Sequence, residues 1–215
     1  MKRERFFSAL SLTLLLTGLS AVAQVQLSFD PITDVTAAGW MNAYPDGNFR
    51  SDVLLSRAEL ASILVKAFRL DQRQPLQSAP IQLQDVSPTH WAYKDIQTVL
   101  RTKVMAGYRE GQFYPEQKVT RAEAFSIIAQ AYGVFQFPDA TINEILAAYP
   151  DAAEIPTWAR KSLATALHEG FVNLQPDQKI APLAPMTRGD TAYALSVYLR
   201  GQYSPNELPW HSGPH

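Results

Sequence analysis

An all-α architecture of three helix-loop-helix repeats is what this 215-residue sequence predicts. Three observations carry that reading. A set of short motifs recurs three times in the same order. The runs that follow the motifs place apolar residues at helical spacing. With 47% apolar residues, 11% aromatics and no cysteine, the composition suits a packed globular core without disulfides.

The chain opens on an address. Lys2, Arg3 and Arg5 precede an apolar run from Phe6 to Leu19, and Ala21-Val22-Ala23 forms a small-residue cleavage box. Residues 1–23 therefore read as a secretory signal peptide, cut after Ala23. Nothing later is apolar for long enough to span a membrane. The expected location is outside the cytoplasm, in the periplasm or cell envelope.

Repeat 1, residues 24–70, carries Asp34-Val35, Gly39-Trp40, the turn Tyr44-Pro45-Asp46-Gly47, Phe49, and Ser56-Arg57-Ala58-Glu59. Pro and Gly at the second and fourth turn positions predict a type I turn. Repeat 2, residues 83–134, is fuller. It has Asp85-Val86, Trp91-Ala92, Gly107-Tyr108, Gly111, Phe113 and Thr120-Arg121-Ala122-Glu123. Ile96, Val99, Leu100 and Lys103 predict its first helical stripe. Repeat 3, residues 149–200, has Asp151, Trp158-Ala159, Gly170, Ile180 and Thr187-Arg188-Gly189-Asp190. The intervals Phe49 to Ser56, Phe113 to Thr120 and Ile180 to Thr187 are equal. Aligning Asp34 with Asp85 and Asp151 leaves repeat 1 short by about one helix. Residues 71–82 read as a polar linker with two prolines, and 135–148 as a linker holding a short amphipathic helix through Ile142, Ile145 and Leu146. Residues 201–215 read as a loose tail with three prolines.

Each repeat closes on a helix start. Ser56 with Glu59, Thr120 with Glu123 and Thr187 with Asp190 form capping boxes, in which hydroxyl and carboxylate satisfy each other's amides. The arginine that follows each hydroxyl is unexplained by capping, because a cation at a helix N-terminus opposes the helix dipole. Two readings stay open for Arg57, Arg121 and Arg188. They recognise an anion together with unpaired amides of the helix start, or they pair with a buried carboxylate of the next repeat. Trp91 and Trp158 open amphipathic stretches, which reads first as core anchoring.

A formal net charge of −1 argues against nucleic-acid binding. The absence of cysteine excludes thiol nucleophiles and Cys-ligated metals, and the four histidines show no ligand spacing. No Gly-x-Ser-x-Gly or His-Glu-x-x-His occurs. The sequence thus predicts no catalytic residue, no metal site and no cofactor.

The order Asp-Val, Trp-Ala, Gly-Tyr-x-x-Gly-x-Phe-x-Pro and Thr-Arg-Ala-Glu resembles the S-layer homology repeat, usually found in threes. The resemblance implies a pseudo-three-fold helical assembly with ligand grooves between repeats. It implies a non-catalytic module for peptidoglycan-linked, often pyruvylated, cell-wall polysaccharide or for peptidoglycan. The departures of the first and third repeats from the pattern give the alternative, an envelope adaptor for a protein partner such as an outer-membrane channel. The resemblance carries glycan binding onto Arg57, Arg121, Arg188, Trp91, Trp158, Gly47, Gly107 and Gly111. Lys103, Gln178 and Ile180 depart from the pattern, which suggests one or two competent grooves, with Arg121 in the best-preserved corner.

Overall fold

The computed structural model describes residues 29–73 and 79–203. The signal peptide and most of the tail lie outside the described residues. Seven α-helices are present among the described residues: α1 (Pro31–Ala37), α2 (Arg57–Phe68), α3 (Tyr93–Arg101), α4 (Arg121–Tyr132), α5 (Asp139–Ala147), α6 (Arg160–His168) and α7 (Arg188–Tyr203).

The helices divide into closing helices α2, α4 and α7 and opening helices α1, α3 and α6. Each closing helix packs against the opening helix of the following repeat: α2 on α3, α4 on α6, and α7 back on α1. The last pairing turns a linear array into a ring. It is reinforced by Asp34 of α1, which accepts hydrogen bonds from Ser196 and, at 2.7 Å, from Arg200 of α7.

Repeat 1 therefore has its opening helix, contrary to the expectation from spacing. Asp30 caps α1 by accepting from the Ile32 and Thr33 amides, and Pro31 presets its first turn. The helix is short because Gly39 ends it in the left-handed region, at φ 71°. Lys103 and Gly170 do the same after α3 and α6, at φ 58° and 73°. Lys103 is thus a helix terminator and not part of the apolar stripe. The chain leaving each helix donates back to its last turn, Trp40 and Met41 to Val35, Met105 to Val99 and Phe171 to Ala166. Asp34-Val35 consequently aligns with Thr98-Val99, not with Asp85-Val86. Asp85 and Asp151 do a different job. They accept from the Phe113 and Tyr114 amides and from the Ile180 and Ala181 amides, pinning the loops before α4 and α7. The helix α5 packs on α6, so it does not compensate for anything in repeat 1.

At the pseudo-three-fold axis the backbone forms a closed triangle. Leu55 N–H donates to Met186, Met186 N–H to Val119, and Val119 N–H to Leu55, at 3.0, 2.8 and 3.2 Å. All three side chains are buried. Full burial of such side chains stabilises by about 1.5–3 kcal/mol each. At the other end of the closing helices, Phe68 and Tyr132 both meet Tyr198, at ring distances of 4.3 and 6.1 Å.

The loops obey the same symmetry down to single dihedrals. Gly47, Gly111 and Gln178 occupy equivalent left-handed positions, at φ 82°, 70° and 61°. Only the third lacks the residue that adopts this conformation without penalty. Gln178→Gly is therefore expected to raise stability by up to about 1 kcal/mol, measured by urea denaturation.

Candidate functional site

The three corners where closing helices begin are built alike. Ser56 and Glu59, Thr120 and Glu123, and Thr187 and Asp190 exchange reciprocal hydrogen bonds, each acid accepting the amide of its hydroxyl residue at 2.8–3.0 Å. Those hydroxyls accept from the amides of Glu59, Glu123 and Asp190 in return.

The preceding two amides of each helix are also engaged, which removes the unpaired donors expected for an anion. Arg57 and Ala58 amides donate to Gln117 and Pro115; Arg121 and Ala122 to Ala184 and Pro182; Arg188 and Gly189 to Val53 and Ser51. Every acceptor belongs to the next repeat around the ring. At the third corner the approach is close: a Cβ on Gly189 would sit 3.1 Å from the Ser51 carbonyl oxygen.

The arginines complete this clasp. Arg57 Nε donates to Phe113 O at 2.7 Å and its Nη2 to Ala106 O at 2.8 Å. Arg121 repeats the pair on Ile180 O and Asn173 O, at 2.8 and 2.6 Å. Arg188 repeats it on Phe49 O and Asn42 O, at 3.1 and 2.7 Å. All three are buried, and Arg57 and Arg188 lie over aromatic rings, Phe113 and Tyr108 for the first, Phe49 and Tyr44 for the second. The guanidinium thus binds main-chain carbonyls, which neither sequence reading anticipated. Arg121 additionally pairs with Asp190 of the next repeat, Nη1 to Oδ1 at 2.9 Å. Burial alone raises the Asp190 pKa, but the Asn173 donor, the Arg121 charge and the Thr187 amide outweigh it and hold the group below its ordinary 3.8.

Arg121 is therefore the least available of the three, at 1% exposure, with hydrogen bonds on all its nitrogens. Arg57 and Arg188 each keep Nη1 without a protein partner among the described residues. Arg188 lines a groove of about 190 Å³ with Trp40, Met41, Asn42, Glu59, Ser62, Ile63, Lys66 and Trp91. Helix α2, the loop after α1 and the segment leading into α3 bring these residues together. Nothing in the local sequence singled out Lys66, and Trp40 stood out as a repeat motif without a role; both join the groove only once the ring sets α2 beside Arg188.

Trp91 and Trp158 are not core anchors, for they are 62% and 61% exposed. In each Trp-Ala pair the alanine is the buried partner, Ala92 and Ala159, and the tryptophan points outward. Trp91 reaches the groove of Arg188. Gly47 and Gly111 serve left-handed turns, and Gly107 makes room for the Gln112 carbonyl, which a Cβ would approach to 3.1 Å.

The model of the S-layer homology domain matches residues 26–61, 83–125 and 148–192, more than half of the sequence. The chain belongs to the S-layer homology family. It is similar to a cellulosome-anchoring protein of Acetivibrio thermocellus, 26% identical over 74% of this chain and 35% of that protein. It is similar to the surface-layer 125 kDa protein of Lysinibacillus sphaericus, 26% identical over 78% of this chain and 14% of that one. An endoglucanase of a Bacillus species is 22% identical over 93% of this chain but 23% of its own length. The chain spans 35% or less of each of these relatives, one of them an enzyme.

The clasp makes a definite forecast for the arginines as S-layer homology residues. Arg121→Ala strands the buried Asp190 and three acceptors. It should cost about 3–5 kcal/mol, read as a lowered urea midpoint.

Proposed function

We propose that this chain is a non-catalytic module of the cell envelope that attaches to acidic polysaccharide linked to peptidoglycan. The observation that carries this reading is the groove of Arg188. Two cations, Arg188 and Lys66, face one cavity walled by Trp40 and Trp91. A guanidinium with one free edge and a neighbouring ammonium suit a carboxylate substituent, such as a pyruvyl ketal on a sugar. An exposed indole face gives the sugar ring a flat apolar surface. The groove is small beside the 300–1,000 Å³ typical of enclosed small-molecule sites. That size fits recognition of one acidic residue along a long chain rather than engulfment of a substrate.

The anchoring and surface-layer names of its relatives support the same assignment. So does the use of the three N3 acids Glu59, Glu123 and Asp190 as helix caps, which leaves them without the paired arrangement that glycoside hydrolysis needs. The module would act outside the cytoplasm, in the periplasm or at the wall. Lys66 has no counterpart at the equivalent positions of α4 and α7, which hold Gln130 and Val197.

The test is sedimentation of the protein with isolated sacculi, before and after hydrofluoric acid strips the attached polysaccharide. Binding is expected to vanish after the acid, and Lys66→Ala and Trp91→Ala should each weaken it about tenfold, near 1.4 kcal/mol. Binding that survives the acid would move the ligand to peptidoglycan itself. No binding to either preparation would reject the glycan reading in favour of an envelope protein partner.

A further inference from the structure

The three corners share one plan, but the third is occupied from within. Arg121 Nη1 lies 2.9 Å from Asp190 Oδ1 and 3.1 Å from Asn173 Oδ1. Asn173 Nδ2 donates to the same Asp190 oxygen at 2.6 Å. The other oxygen, Oδ2, still accepts the Thr187 amide at 3.0 Å, so one carboxylate serves both as helix cap and as partner of the arginine. At the other two corners the acid is glutamate. Glu59 and Glu123 cap through Oε2, and neither forms an ion pair with Arg188 or Arg57 among the described residues. The nitrogen that Asp190 covers on Arg121 is the one left without a protein partner on Arg57 and Arg188.

We propose that Asp190 is a built-in occupant of the third groove, and that aspartate or glutamate at the third residue of each closing helix decides whether an inter-repeat groove is shut or open. The internal carboxylate takes the face of Arg121 that an acidic ligand would take. Asn173 fixes it there. This rests on the glycan reading above and deepens it: an acidic ligand is confined to the grooves capped by glutamate. Asp190 stays ionised to lower pH than a free aspartate, as a carboxylate held by cation and amide does.

The proposal has a direct test, because the first groove already contains half of the latch. Asn42 stands where Asn173 stands, and its carbonyl holds Arg188 as that of Asn173 holds Arg121. Only the shorter acid is missing. Glu59→Asp should therefore shut the first groove while keeping the cap, as Asp190 keeps its own. A pyruvylated methyl hexoside would be titrated by calorimetry into the wild type, Glu59→Asp and Asn42→Ala/Glu59→Asp. The single variant is expected to bind at least about tenfold more weakly, and the double variant to recover, since it lacks the amide that fixes the acid. Wild-type affinity in Glu59→Asp would overturn the proposal.

A wild type that does not bind the probe would count against the glycan reading alone. The latch would then be judged from the Nε–Hε NMR signal of Arg188, which in Glu59→Asp must move toward that of Arg121; an unmoved signal overturns it. Should Glu59→Asp fail to fold, Asn173→Ala/Asp190→Glu gives the third corner the Ala and Glu of the second. The Arg121 signal must then approach that of Arg57, and an unchanged signal again rejects the latch.

Discussion

A buried guanidinium donating to two main-chain carbonyls of the following repeat is the interaction on which this ring depends. It occurs at Arg57, Arg121 and Arg188, with Nε and Nη2 used in the same way each time. A helix start is an unfavourable place for a cation taken alone. Here the helix amides are already engaged by the same incoming loop, and the arginine adds a second pair of donors to it. Charge-assisted bonds of this kind are among the stronger ones a protein makes. Each clasp joins residues distant in sequence, and the third joins Arg188 to Phe49, closing the last repeat on the first.

Head-to-tail contacts give either an open array or a closed ring, according to the rotation between units. Three clasps and the Leu55–Val119–Met186 triangle close this one within a single chain. The closed ring has no terminal repeat to cap, unlike a solenoid. It also creates the groove of Arg188, which is lined by an arginine of the last repeat, the loop and helix of the first, and the segment leading into the second. Under the proposed function, stability and recognition share residues. An arginine that holds a loop by two nitrogens can offer only the third to a ligand, and whether that third is free varies from corner to corner.

The sequence displays the repeat order, the closing helices and the glycine-bearing loops, because these rest on local chemistry: capping hydroxyls, turn glycines, helical periodicity. It conceals what depends on partners far along the chain. Asp34-Val35 matches Asp85-Val86 in letters, yet Asp34 lies on α1 and binds α7. Pattern matching therefore omits a helix that three-dimensional closure requires. Trp91 and Trp158 read as core because each opens an amphipathic stretch; the alanine beside each fills the core instead. Phe49, Phe113 and Ile180 recur at one spacing, but that their main-chain carbonyls receive the arginines is invisible in the motif, and Ala106, Asn173 and Asn42 share no side-chain signature. Lys66 has no counterpart in the other repeats, and a search for recurring residues passes over it.

Hydrogen–deuterium exchange of Arg188→Ala against the wild type tests the closed ring most directly. If Arg188 joins the last repeat to the first, the variant exchanges faster in the loop around Phe49 and in α1, more than a hundred residues away in sequence, while the amides of α3 and α4 keep their protection. Faster exchange limited to the start of α7, with residues 31–49 unchanged, would contradict the closure and leave a linear array of repeats in its place.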